Sequence, residues 1–166
     1  MAPALMEQDV VGLWKWGNPQ VGDVVGYIPD EESALSFKRL IAVGPAEIGV
    51  GTDGGLLVDG VPVQNHGVSS STFSAPGCGQ GELETEVEHW GSSEVEVLPG
   101  GTAFTEVTIP AGSVYLLGDN RPASSDSRHV GPISKDRILG VATRVLWARD
   151  SCSGSISWER VGLNLR

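Results

Sequence analysis

The chain is 166 residues long, 40% hydrophobic and 19% charged, which describes one globular domain with material for a core and not a disordered segment. Its formal charge of −10, from 11 Lys and Arg against 21 Asp and Glu, repels a phosphate backbone and excludes nucleic acid as a partner. No apolar run approaches the roughly 18 residues that cross a bilayer, and Met1 is not followed by a charged-then-apolar leader, so these residues are expected to be soluble.

With 23 Gly and 10 Pro spread along the sequence, short strands joined by turns are favoured over long helices. In chain order, DVVGYI (23–28), SFKRLIAVG (36–44), EIGVG (47–51), GLLVDGVPV (55–63), VTIPAGSVYLLGD (107–119) and RILGVATRVLWA (137–148) are predicted strands, rich in Val, Ile, Leu and aromatics. Asp-Gly steps at 53–54 and 59–60 predict hairpins, so GVGTDGG (49–55) is expected to be a turn and not a phosphate cradle. QNHGVSSSTFSAPGCG (64–79) lacks periodicity and is expected to be a loop within a lobe spanning about 64–106. Beyond it Glu82, Glu84, Glu86 and Glu88 recur every second residue, with Glu94 and Glu96 after a turn, which predicts a solvated hairpin face. The tail WERVGLNLR is expected to be a last strand. The fold class is mainly β, a single domain over 1–166 built of antiparallel sheets with a smaller inserted lobe. Cys78 and Cys152 allow one disulfide or two thiols. His66, His89 and His129 have no metal-ligand spacing, so no metal and no cofactor is expected; His129, beside a polar loop, is a weak candidate base.

Two segments invite chemistry. In SFKRLIAVG, Lys38 shares a strand face with Ser36 and Leu40, while Phe37, Arg39 and Ile41 share the other. On pattern alone it is a solvated lysine. In an apolar pocket its amine would be neutral and could take a proton from a nucleophile, at a cost of about 4 kcal/mol for a shift of about 3 pKa units. GDNRPASSDSRHVG (118–131) follows the apolar run SVYLL with two Asp, two Arg, three Ser and an Asn. Asp119 and Asn120 suit Asx turns, Arg121 and Arg128 are spaced to pair with Asp119 and Asp126, and Ser124 or Ser127 could be presented rigidly.

GDNRPASSDSRHVGPI followed by RILGVATRVLW resembles the signature loop of bacterial type I signal peptidases. SFKRLIAVG is similar to that family's lysine strand, GLLVDGVPV to the hairpin after it, and NPQVGDVVGYIP to its Gly-Asp-Val strand, in order over residues 1 to about 148. The resemblance implies a membrane-tethered serine endopeptidase using a Ser/Lys dyad to remove signal peptides with small residues at the first and third positions before the cut. It implies Lys38 as general base, Ser124 as the hydroxyl orienting the amine, Asp119, Asn120, Arg121, Asp126 and Arg128 as structural loop residues, and Met1 and Pro3 beside the substrate. It implies further a location at the extracytoplasmic face of the cytoplasmic membrane, reached through an upstream helix. Met1-Ala2-Pro3-Ala4-Leu5 is similar to the family's Ser-Met-x-Pro-x-Leu motif from its second residue onward, so the nucleophile is expected directly before Met1 and the 166 residues alone are expected to be an inactive fragment. Ser33 and Ser36 have no motif support as replacements. A catalytically dead peptide-binding relative is the alternative, and a self-cleaving repressor-type Ser/Lys protease, which lacks this loop, a more distant one.

Overall fold

The computed structural model describes residues 1–29, 34–52, 55–63, 65–74, 80–90, 93–101, 103–150 and 153–165, with backbone alone for 65–74, 80–83 and 93. The strands are β1 (Val10–Trp14), β2 (Val24–Tyr27), β3 (Ser36–Val43), β4 (Ala46–Val50), β5 (Leu56–Val58), β6 (Val61–Pro62), β7 (Asn65–Ser74), β8 (Gln80–Trp90), β9 (Ser93–Val97), β10 (Val107–Ile109), β11 (Ser113–Leu117), β12 (Ile133–Ser134) and β13 (Ile138–Trp147). One helical turn, α1 (Ser127–Val130), and two 3-10 turns, Arg121–Ala123 and Lys135–Arg137, complete the elements. The strands form a six-stranded sheet in the order β1-β13-β2-β3-β11-β12, a four-stranded sheet β10-β4-β5-β6 and a three-stranded sheet β7-β8-β9. All ladders are antiparallel, so the fold is mainly antiparallel β as the sequence predicts.

The middle of the six-stranded sheet is covered on both faces, which is why β11 is apolar without alternation. Val114 and Leu116 join one cluster with Val25, Tyr27, Leu40 and Ile133. Tyr115 and Leu117 point the other way, into a cluster with Ile41, Ile48, Val97 and Ile109. A third cluster gathers Leu5, Val24, Ala142, Val145, Ala148 and Leu165, and so ties both ends of the chain to β13.

Several expectations need correction. The predicted strand 107–119 is two strands in different sheets. Pro110 has no N–H to extend a ladder, and Gly112, at φ +80°, allows the turn closed by Ser113 N–H donating to the Pro110 carbonyl at 3.1 Å. Residues 55–63, by contrast, form the hairpin expected from the Asp-Gly step at 59–60, with φ of 50° and 75° at Asp59 and Gly60 as in a primed turn. Much of the expected loop 64–79 is β7, paired with β8 from Asn65 to Ser74. Backbone ladder bonds need no apolar alternation, so the Ser-rich sequence concealed it. β1 was not predicted; it lies against β13 at the sheet edge. The tail is a run of turns moored to β13 by the isolated bridge Arg144 to Asn164 and neighbouring backbone hydrogen bonds, not a strand. Ser33, Cys78, Cys152 and the Asp-Gly step at 53–54 lie outside the described residues.

Candidate active site

The polar loop leaves β11 at Leu117 and closes on itself. Asp126 is its hub: Oδ2 accepts from Gly118 N–H at 3.0 Å, and Oδ1 accepts from Arg128 N–H at 3.2 Å, capping α1. Arg128 grips the same carboxylate with Nε at 2.8 Å and Nη2 at 2.8 Å and donates to the Arg121 carbonyl at 2.7 Å. Burial alone would raise the Asp126 pKa; the Arg128 hydrogen bond, the Gly118 N–H, the nearby Ser124 hydroxyl and the Arg128 charge outweigh it and hold the pKa below its ordinary value. Asn120 Oδ1 accepts from Ala123 N–H at 3.3 Å, the Asx capping its residue type suggests. Ser127 Oγ accepts from Leu116 N–H at 3.0 Å, where the β11–β3 register shifts, and so fastens the loop back to its own strand.

The expected Arg121–Asp119 pair does not form. Asp119, fully buried, is held by Arg39 of β3 in a fork, with Nε to Oδ1 at 2.8 Å and Nη2 to Oδ2 at 2.7 Å. Arg121 donates Nε to the Gly118 carbonyl at 3.1 Å and pairs with Glu88 of β8. Glu88 is therefore no part of a solvated row: it is buried and also accepts from Trp90 Nε1 at 3.0 Å. Leu98 bonds the loop backbone, its N–H donating to the Asp119 carbonyl at 2.9 Å and its carbonyl accepting from Arg121 N–H at 3.2 Å. The ring of Phe104 lies 6.0 Å from both the Arg121 and Arg128 guanidinium carbons.

Lys38 faces away from Arg39, opposite Val25 in the ladder and on the face of Leu40. Among the described residues its amine makes no ion pair and no hydrogen bond. Burial pushes its pKa below the ordinary value; Asp126 and Asp119 pull it back, and Arg128 adds to the depression. Gly118 extends β11 alongside it. A Cβ at Gly118 would fall 2.2 Å from Ser124 Oγ and 3.7 Å from Lys38 Nζ, so the Ser124 hydroxyl fills the space a side chain at 118 would take. That hydroxyl is buried and in no hydrogen bond of good geometry. The α-amine of Met1 belongs to the same neighbourhood: burial lowers its pKa, Asp119 opposes, and the Lys38 and Arg39 charges add to the lowering.

The sequence-predicted residues thus converge, though not identically. Lys38, Ser124, Asp119, Asn120, Arg121, Asp126 and Arg128 all belong to the loop or border it. Met1 is half-buried against the cluster holding Leu5, and Pro3 is buried with its carbonyl toward Arg160 Nη1 at 3.5 Å. His129 lies on α1 with a side chain 41% exposed and Nδ1 4.0 Å from Asp126 Oδ1. Ser36 is half-buried in β3. Sequence reasoning missed the parts played by Arg39, Glu88, Gly118 and Arg160. Only Arg39 carried a usable signal, as a second charge beside Lys38 on the strand's opposite, mainly apolar face. No group of His, Cys, Asp and Glu suited to a metal occurs among the described residues.

The chain is 29% identical over 135 residues to signal peptidase I of Mycobacterium tuberculosis strain H37Rv, covering 74% of this chain and 40% of the relative. To signal peptidase I of Pseudomonas fluorescens it is 27% identical over 165 residues, covering 89% and 56%. It therefore spans only part of the length of these relatives. A crystal structure of a signal peptidase I from Enterococcus faecalis V583 superposes with a TM-score of 0.47 and 23% identity, over 75% of this chain and 97% of that one. Among the described residues no helix is long and apolar enough to cross a membrane. Residues 1–147 match the family described as signal peptidase, peptidase S26, and the chain belongs to that family.

Proposed function

We propose that this domain is the catalytic part of a Ser/Lys-dyad endopeptidase that removes signal peptides from exported proteins. Lys38 is the general base, Ser124 orients its amine, and the nucleophile is a serine directly before Met1. The observation that carries this reading is the Lys38 amine, in no ion pair and with its pKa lowered by burial, beside the buried Ser124 hydroxyl and the first residue of the chain. An ammonium cannot accept a proton; a neutral amine can.

In the reaction the amine takes the serine proton as the oxygen attacks the scissile carbonyl. The tetrahedral oxyanion is stabilised by donors at the nucleophile, its own N–H among them. The protonated amine then gives its proton to the leaving nitrogen, and an acyl-enzyme remains. Water, deprotonated by the same amine, hydrolyses it. Asp119, Asn120, Arg121, Asp126 and Arg128 keep Ser124 in place, and Met1 and Pro3 border the substrate. The substrate is an extended segment with small residues at the first and third positions before the cut, its alternate side chains entering shallow pockets. The protein acts at the outer face of the cytoplasmic membrane, to which an upstream helix anchors it.

The test is the chain preceded by one serine, incubated with an Ala-x-Ala peptide. Cleavage at that site is expected, with Lys38→Ala abolishing it and the 166 residues alone inert. A folded Ser-preceded chain that binds the peptide without cutting it would overturn the dyad in favour of a peptide-binding module.

A further inference from the structure

The first nine residues belong to no sheet; β1 begins only at Val10. Their own backbone bonds are Leu5 N–H to the Met1 carbonyl at 3.0 Å and Asp9 N–H to the Met6 carbonyl at 3.3 Å. What fixes them comes from the far end of the chain. Arg160 donates Nη1 to the Pro3 carbonyl at 3.5 Å, and Nη2 to the Ala4 carbonyl at 3.2 Å and to Asp9 Oδ2 at 2.6 Å. Asp9, its side chain only 1% exposed, also accepts from Met6 N–H at 2.9 Å. One guanidinium therefore gathers three points of the turn.

Arg160 is itself well moored. Gly162 N–H donates to the Val145 carbonyl at 2.8 Å, Val145 N–H to the Leu163 carbonyl at 3.1 Å, and Leu165 N–H to the Thr143 carbonyl at 3.0 Å. Val161 and Leu165 pack in the cluster that also holds Met1, Ala4 and Leu5. This tail lies beyond the family match, which ends at residue 147.

We infer that Arg160 is a positioning residue for the proposed cleavage, clamping the N-terminal turn so that the position before Met1 faces Lys38. The inference rests on the dyad reading. A guanidinium suits the task because its planar fork spreads five donors in fixed directions, whereas a lysine offers three on a single nitrogen. Loss of the clamp frees the turn, and a misplacement of about 1 Å costs on the order of 100-fold in rate.

The experiment compares Arg160→Ala and Arg160→Lys in the Ser-preceded chain, with Lys38→Ala in parallel. Arg160→Ala is expected to lower kcat by about 10- to 100-fold with KM little changed. The pH at which activity rises is expected to stay put, because Lys38 keeps its surroundings. Amide exchange is expected to quicken at Leu5 and Met6 but not in β3 or β11, and Arg160→Lys to recover part of kcat through Asp9. Unchanged kcat with faster exchange at Leu5 and Met6 would overturn the clamp alone. So would protection lost across the whole domain in both Arg160 variants, since the role would then be stability only. An inert parent chain, or cleavage surviving Lys38→Ala, would overturn the dyad and the clamp with it.

Discussion

Gly118→Ala probes the heart of the site with a single methyl. The new carbon would stand 2.2 Å from Ser124 Oγ, 2.6 Å from Ser124 Cβ and 3.7 Å from Lys38 Nζ. The hydroxyl can rotate away, but Ser124 Cβ is fixed to the backbone, so the 121–126 segment must retreat until the carbons reach ordinary contact at 3.4 Å or more. Gly118 has no positive φ, so alanine adds no torsional strain and the effect is purely steric. Overpacking of this kind costs about 1–3 kcal/mol of stability. If Ser124 orients the amine as proposed, displacing its hydroxyl on the ångström scale should lower kcat by roughly 100-fold. Both are read in the Ser-preceded chain, by peptide cleavage and by urea unfolding. Gly112→Ala is the control. It sits at the opposite end of β11 with φ +80° and nothing within 4 Å of its Cβ, so it should cost about 1–2 kcal/mol through backbone strain while kcat stays constant. A Gly118→Ala chain cleaving as fast as the parent would refute the claim that Ser124 must stand in that space.

Three further outcomes follow from the charges. As the proposed base Lys38 would work only when neutral, and its pKa is lowered by burial, so cleavage should rise with pH and level off below the ordinary lysine value of 10.5; a profile still climbing above that value would contradict the proposal. The same depression means the unfolded chain binds the extra proton, so stability should increase with pH between the folded and ordinary pKa values, and Lys38→Met should flatten that slope in unfolding measurements. Glu88→Ala should cost about 3–5 kcal/mol in urea unfolding because it strands the buried Arg121 guanidinium, and adding Arg121→Met should recover most of the loss. A cost no larger than that of Glu84→Ala, at an exposed position of the same strand, would refute the anchoring role.

The antiparallel strands and the dense polar loop were legible because both are local: alternation, turn residues and a run of Asp, Arg and Ser lie contiguous in sequence. The partners of that loop were not. Asp119 is matched by Arg39, 80 residues away, and Arg121 by Glu88, 33 residues away, in preference to each other. Local spacing favoured the wrong pair because nothing in the loop marks which arginine a folded sheet will bring closest. The glutamate row was misjudged at one end for the same reason: Glu84 is exposed, whereas Glu88 is carried under the loop where β8 meets it. β7 escaped notice because backbone pairing, not an apolar stripe, defines it. Arg160 was invisible, since an arginine in a polar tail says nothing of carbonyls more than 150 residues earlier.

Lys38 and its neighbour Arg39 point to opposite sides of one strand, and the consequence is a separation of charges. The carboxylates nearest the amine are each already engaged, Asp119 by Arg39 behind the sheet and Asp126 by Arg128 within the loop. Both carboxylates still draw the Lys38 pKa upward, but each shares its charge with an arginine, and burial prevails over them. Untying either arginine would leave its carboxylate free to hold the amine charged, against the role proposed for Lys38.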